Sequence, residues 1–136
     1  TGNNETSIVY MIAQKHASIR IMKESGSGVE NAGAGTVVVD DIAAKGIAEF
    51  YMISHYANQG SASPTRYTII YQYPKHFKDD QLIKLTHYQT LQYPNWSGSI
   101  RMPACLMLAS RLADMAKTHL SSNEPKRILN NKLHFL

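Results

Sequence analysis

Side chains suited to gripping a phosphate backbone gather at separate places along this chain. Lys15, His16 and Arg20 follow an apolar run, and Ser97-Gly-Ser-Ile-Arg101 precedes a helical pattern. Lysine, arginine, histidine and tyrosine side chains that converge from several elements bind a nucleic-acid backbone by displacing its counterions, without reading bases. Hydroxyls, an arginine and helix N-terminal amides suit the same ligand. Taken singly, the first cluster reads as a solvated strand exit and the second as a capped loop.

Other chemistries are less well supplied. His55 ends an apolar stretch, where a lone histidine most often serves as a structural hydrogen-bonding residue. Asp40-Asp41 and Asp79-Asp80 bring to mind a two-metal nuclease, yet adjacent acids on a strand point to opposite sides and do not share an ion easily. Ser110, Asp114 and a histidine would make a hydrolase triad only with a strained turn around the serine, and no G-x-S-x-G accompanies it. The single cysteine, Cys105, rules out an internal disulfide framework and a cysteine-based zinc cluster. It points to a reducing compartment, cytoplasmic or nuclear.

The 136 residues carry a formal charge of +4 and six histidines, with a pI near 9.2. That length supports one domain with a core, and the mild basic bias fits a polyanionic partner. No apolar run is long enough for a membrane span and the polar start resembles no signal peptide, so no membrane partner is expected. The chain opens on Thr1 and runs directly into an apolar segment. We therefore expect a portion of a longer chain.

Elements must position these groups. Ser7 to Ala13 is apolar and strand-forming and reads as a buried strand; Thr36 to Val39, Glu49 to His55 and Arg66 to Tyr71 are further strands in a hairpin-like layer. Glu24 to Gly35 is dense in glycine, serine and asparagine and reads as a loop. After Pro74 the period changes. Asp79 and Asp80 suit a first helical turn, with Leu82, Leu85, Gln89 and Tyr93 on one stripe until Pro94. From Pro103 to about Leu120 a second helix is expected, with Cys105, Leu108, Ala109, Leu112, Ala116 and Leu120 on its core side. Ser110, Arg111, Asp114, Lys117 and Thr118 fall on the other arc. The apolar end, Leu133 to Leu136, is expected to dock on the body.

The order of segments joins these signals. Gly35 to Asp40 (Gly-Thr-Val-Val-Val-Asp), Glu49 to His55 (Glu-Phe-Tyr-Met-Ile-Ser-His) and Gln59 to Tyr67 (Gln-Gly-Ser-Ala-Ser-Pro-Thr-Arg-Tyr) resemble the Argonaute patterns G-T-V-V-D, F-x-L-x-S-H and Q-G-T-x-x-P-x-x-Y. Upstream, Val9 to Arg20 resembles the family's strand and V-Q-K-R-H-x-x-R turn; Leu85 to Tyr93 resembles its next helix. The segment Tyr93 to Ala104 and the ending Lys132 to Leu136 resemble worm-type secondary small-RNA Argonautes. The resemblance implies an α/β fold, the C-terminal half of an RNase H-like PIWI domain across residues 1–136, with mixed-sheet strands followed by two helices.

It also implies roles. Lys15, His16, Arg20, His55 and Tyr93 match positions that hold the backbone of a small guide RNA, and Arg101 adds a cation where the family more often has serine. Ser63, Asn95 and Met115 stand where the family has phosphate-binding arginines, and the carboxylate of Leu136 is implied to lie near the pocket for the guide's 5′ end. The fourth metal ligand of the family's slicing site, in A-H-x-x-A, corresponds to Ser110 in Ala109 to Ala113. A hydroxyl is a poor substitute for imidazole or carboxylate. The other catalytic positions would lie upstream, so this segment is expected to bind no cofactor, with Mg reserved for the longer family member.

The leading expectation is thus a non-slicing binder of guide RNA that pairs with complementary target RNA and recruits silencing effector proteins. An active nuclease with a substitute ligand such as His119 or Asp114, and a basic protein-interaction domain, are the alternatives.

Overall fold

A computed structural model describes residues 6–40, 48–73, 77–120 and 132. The strands are β1 (Ile8–Gln14), β2 (Met22–Ser25), β3 (Gly28–Asn31), β4 (Thr36–Asp40), β5 (Ala48–Ile53) and β6 (Thr65–Tyr73), followed by helices α1 (Asp79–Thr90) and α2 (Ala104–Met115). Asp41 and the apolar ending Leu133 to Leu136, with its carboxylate, lie outside the described residues.

Four strands form one antiparallel sheet in the order β1-β6-β5-β4. Its inner face carries the core. Phe50 and Tyr67 are cross-strand partners whose rings stack with centroids 4.9 Å apart. Around them pack Met52, Met11, Ala13, Val37, Ile69 and, from α1, Ile83. Alternation in β5 and β6 sends these residues inward, and α1 covers them because Leu82 and Thr86 recur on one helical face. The Lys78 amide donates to the Gln81 side chain at 2.9 Å, and Asp79 and Asp80 stand in the first turn where the helix dipole favours acids.

The outer face differs from expectation. β1 is not buried on both sides: Ile8, Tyr10 and Ile12 are 56%, 62% and 50% exposed. A register shift after Tyr10 inserts Ile70 into β6, which turns Tyr71 and Tyr73 outward opposite Tyr10 and Ile8. A bulge reverses the phase of alternation, which the residue pattern alone does not reveal. Near the centre of this face Arg66 grips Glu49, with Nη2 2.6 Å from Oε1 and Nε 3.2 Å from Oε2. That guanidinium holds the Glu49 carboxyl below its usual range.

Two further corrections concern loops and packing. The stretch expected as a loop folds into the short hairpin β2-β3; its side chains are mostly exposed, so backbone pairing rather than a core makes it. In α2 the stripe expected to be buried is largely open: Cys105, Ala109 and Leu112 are exposed, and Ala104 is the helix's buried residue. A cavity of about 290 Å³ lined by Val9, Met11, Leu82, Leu85, Cys105 and Leu106 separates its start from β1 and α1. Helical spacing then gives way to a π-helical turn over Ala116–Leu120.

Candidate phosphate-binding cleft

The hydroxyls of Ser54, Thr65 and Ser99 build the site. The loop after α1 is tied to the ends of both central strands: Ser54 donates to the Ile100 carbonyl at 2.6 Å and Thr65 to the Arg101 carbonyl at 3.0 Å. Ser99 donates back to the Ser54 carbonyl. The Ile100 amide donates to the Thr90 carbonyl at 3.0 Å, closing the loop onto α1. Ser54, Thr65 and Thr90 are fully enclosed, and a buried hydroxyl without these partners would cost about 1–3 kcal/mol. The loop is therefore held where its carbonyls are needed.

This stitching fixes the flank of an open cleft of about 570 Å³. His55, Tyr56 and Asn58 enter from the exit of β5, and Trp96 to Arg101 and Met107 from the loop and α2. Opposite, Asn31 clamps the turn beyond Asn58, donating to the Gly60 carbonyl at 2.8 Å and accepting from the Ala62 amide at 2.9 Å. Gly60 adopts a φ of 70°, a conformation that suits glycine. The expected residues His55 and Arg101 thus meet here. His55 is half-buried; burial first, and the Arg101 charge second, hold its imidazole below the ordinary range. Its Nδ1 is enclosed without a hydrogen-bond partner.

Lys15 lies outside that cleft but reaches α2: its ammonium donates to the Ser110 hydroxyl at 3.0 Å. Residues three and four apart share a helix face. Met107, which lines the cleft, is therefore on the face of Ser110 and Arg111, and a track leads from Arg101 along α2 to Lys15. Asp114 continues this face and would repel a phosphate. His16 and Arg20 are exposed, and Arg20 donates to the neighbouring Ile19 carbonyl; neither touches the cleft.

Tyr93, matched to a guide-contacting tyrosine, stands apart from the exposed groups. It is buried, its hydroxyl enclosed without a partner. Arg111 lies over its ring at 5.7 Å, a cation–π distance. The exposed group at this place is Arg111. Sequence reasoning missed it, together with the two aromatics of the cleft, Tyr56 and Trp96. Their one advance signal is position: Tyr56 directly follows His55, and Trp96 sits in the glycine-containing loop before Arg101.

Ser110 matches a metal-ligand position only in name. A neutral hydroxyl beside an ammonium offers a divalent cation no charge and sets a positive neighbour next to it. Among the described residues no group of three or more histidine, cysteine or acidic side chains is placed to hold a metal. Of the described residues at this position, Ser110 with the Lys15 ammonium beside it is a poor fit for a divalent ion.

The Piwi domain family matches residues 1–121. Protein argonaute-3 of Drosophila melanogaster is 32% identical over 133 residues, which cover 98% of this chain and 15% of that protein. Piwi-like protein 1 of Gallus gallus is 30% identical over 129 residues, 95% of this chain and 15% of the relative. The chain thus spans a small part of the relatives it matches. The crystal structure of Drosophila Piwi superposes with a TM-score of 0.78 at 28% identity, covering 96% of this chain and 17% of that one. A Kluyveromyces polysporus Argonaute solved with a guide RNA superposes at 0.77 with 16% identity, over 99% of this chain and 19% of that one, a likeness of fold. The sequence relatives are Argonaute and Piwi proteins of a fly and a bird, and the yeast protein shares the fold. The matched domain and the shared architecture lead to one conclusion: this chain belongs to the Argonaute/Piwi family and has the RNase H-like fold of its Piwi domain.

Proposed function

We propose that this chain is the C-terminal portion of a PIWI domain that binds a small guide RNA by its backbone, presents it to a complementary target RNA, and silences by recruiting effector proteins rather than by cutting. The observation that carries the reading is the cleft in which Arg101 and His55 meet, continued along α2 toward Lys15. Cations and neutral donors along a track suit a polyanion bound without regard to sequence. A solved protein of this fold holds a guide RNA. The reading as a worm-type secondary small-RNA Argonaute rests on the resemblance of the segment Tyr93 to Ala104 and of the ending Lys132 to Leu136. The exposed free Cys105 suits a reducing cytoplasmic or nuclear setting.

Loss of cutting rests on Ser110 and on the ammonium beside it. Mg in the longer protein would meet a cation and a weak ligand here. The test uses the full-length protein. Lys15→Ala with Arg101→Gln should weaken guide retention evenly across guide sequences and lower the salt slope by about 0.7 for each phosphate left without its cation. Unchanged retention would count against the track. Incubation of the guided protein with complementary RNA and Mg should give no cleavage, and Ser110→His alone should not restore it while Lys15 remains. Cleavage by the unaltered protein would sink the non-slicing half.

A further inference from the structure

We propose that Trp96 and Tyr56 are a stacking platform, taking the base of one single-stranded RNA nucleotide whose neighbouring phosphate lies at Arg101. The proposal rests on the guide-binding reading of this cleft and adds to it a contact with bases, which no phosphate grip supplies.

Both rings line the same cleft as Arg101 and His55. Trp96 is 62% exposed and Tyr56 78% exposed. Their mounts are rigid. Tyr56 follows the segment pinned by Ser54, and the Trp96 amide donates to the Tyr93 carbonyl at 3.3 Å. The indole lies against a residue with no side chain: a Cβ on Gly98 would come within 3.1 Å of Nε1 and 3.6 Å of Cδ1. The backbone thus supports one part of the ring and leaves the rest to the cleft.

Two large aromatics held open beside a cation fit a ligand that is both anionic and flat. A single-stranded nucleic acid is such a ligand, since every base has a π-face and stacking on protein aromatics tolerates any sequence. A duplex keeps its base faces covered by neighbouring pairs. The platform therefore favours single strands, whereas Arg101 and Lys15 answer to charge alone.

The test measures anisotropy of a labelled single-stranded RNA, and of a matched RNA with abasic sites, on the full-length protein. Trp96→Ala should weaken binding of the normal RNA about tenfold, with the salt slope unchanged and little loss on the abasic strand. Trp96→Phe should retain most of the affinity. Arg101→Gln should instead lower the salt slope on both RNAs. If Trp96→Ala has no effect, or an equal effect on both strands, while Arg101→Gln acts as stated, the platform is wrong and the guide-binding reading stands. If neither substitution changes RNA binding, the reading of the cleft fails with it. A thermal melt of each variant distinguishes a missing ring from a damaged fold: a Trp96→Ala loss with an unchanged melt supports the platform, and one that disappears below the melting onset overturns it.

Discussion

His55 shows how one residue joins fold to ligand. Enclosure and the Arg101 guanidinium both disfavour its imidazolium, so its pKa lies below the ordinary 6.5. Unfolded, the ring takes up a proton as pH falls through 6.5; folded, it does so only at lower pH. Between the two values the unfolded chain binds more protons, so this group's contribution to stability is complete above 6.5 and is lost as pH falls toward the folded pKa. A phosphate over Arg101 reverses the local field and raises the His55 pKa. RNA retention should accordingly tighten as pH drops through that window, until unfolding intervenes. Histidine NMR titration checks the cause: Arg101→Gln should move the His55 midpoint upward toward 6.5, and an unmoved midpoint would show that the two charges do not communicate. The sequence named both residues, but not their meeting. That depends on hydroxyls at Ser54, Thr65 and Ser99, whose value lies in what they fasten. The burial of Tyr93 was hidden for a related reason, since a tyrosine's type does not say whether its hydroxyl faces water or the interior.

At the scale of elements, alternation and helical period were legible wherever one side of an element meets the core. Strands β4, β5 and β6 fell where the pattern put them, and helix α1 begins at Asp79 as expected but ends at Thr90, before Tyr93. Legibility failed where no such contrast exists. The β2-β3 hairpin has nearly no buried side chains, so glycine and serine content pointed to a loop while backbone pairing made strands. In α2 the apolar stripe is present in the sequence, yet within the described residues it has little to lie against. Two leucines separate the cases. Leu82→Ala, at a position 1% exposed, should cost about 2–5 kcal/mol. Leu112→Ala, at 39% exposed, should cost no more than about 0.5–1 kcal/mol. Urea unfolding of this chain measures both, and equal costs would mean that the α2 stripe is covered.

For the whole molecule, the sheet has one covered face and one open one. Ile8, Tyr10, Ile12, Tyr71 and Tyr73 stand together on the open side, exposed apolar side chains of the kind that marks an interaction surface. Handled alone, this chain should self-associate through that face, and sedimentation should show Ile12→Lys with Tyr71→Lys to be more nearly monomeric than the unaltered chain. An unchanged sedimentation profile would place association elsewhere, for example at the free edge of β1.

The pairing of β1 with β6 also has a consequence for synthesis. These neighbours in the sheet are far apart in the chain: β1 ends at Gln14 and β6 at Tyr73. At roughly 5–20 residues per second, a ribosome takes about 3–12 s to make the partner strand after β1 has been translated. Over that interval β1 lacks its partner β6, and both of its faces, inner and outer, are apolar. A nascent chain stalled just after β1 should thus engage holding chaperones, and one released after β6 should lose them as the sheet closes.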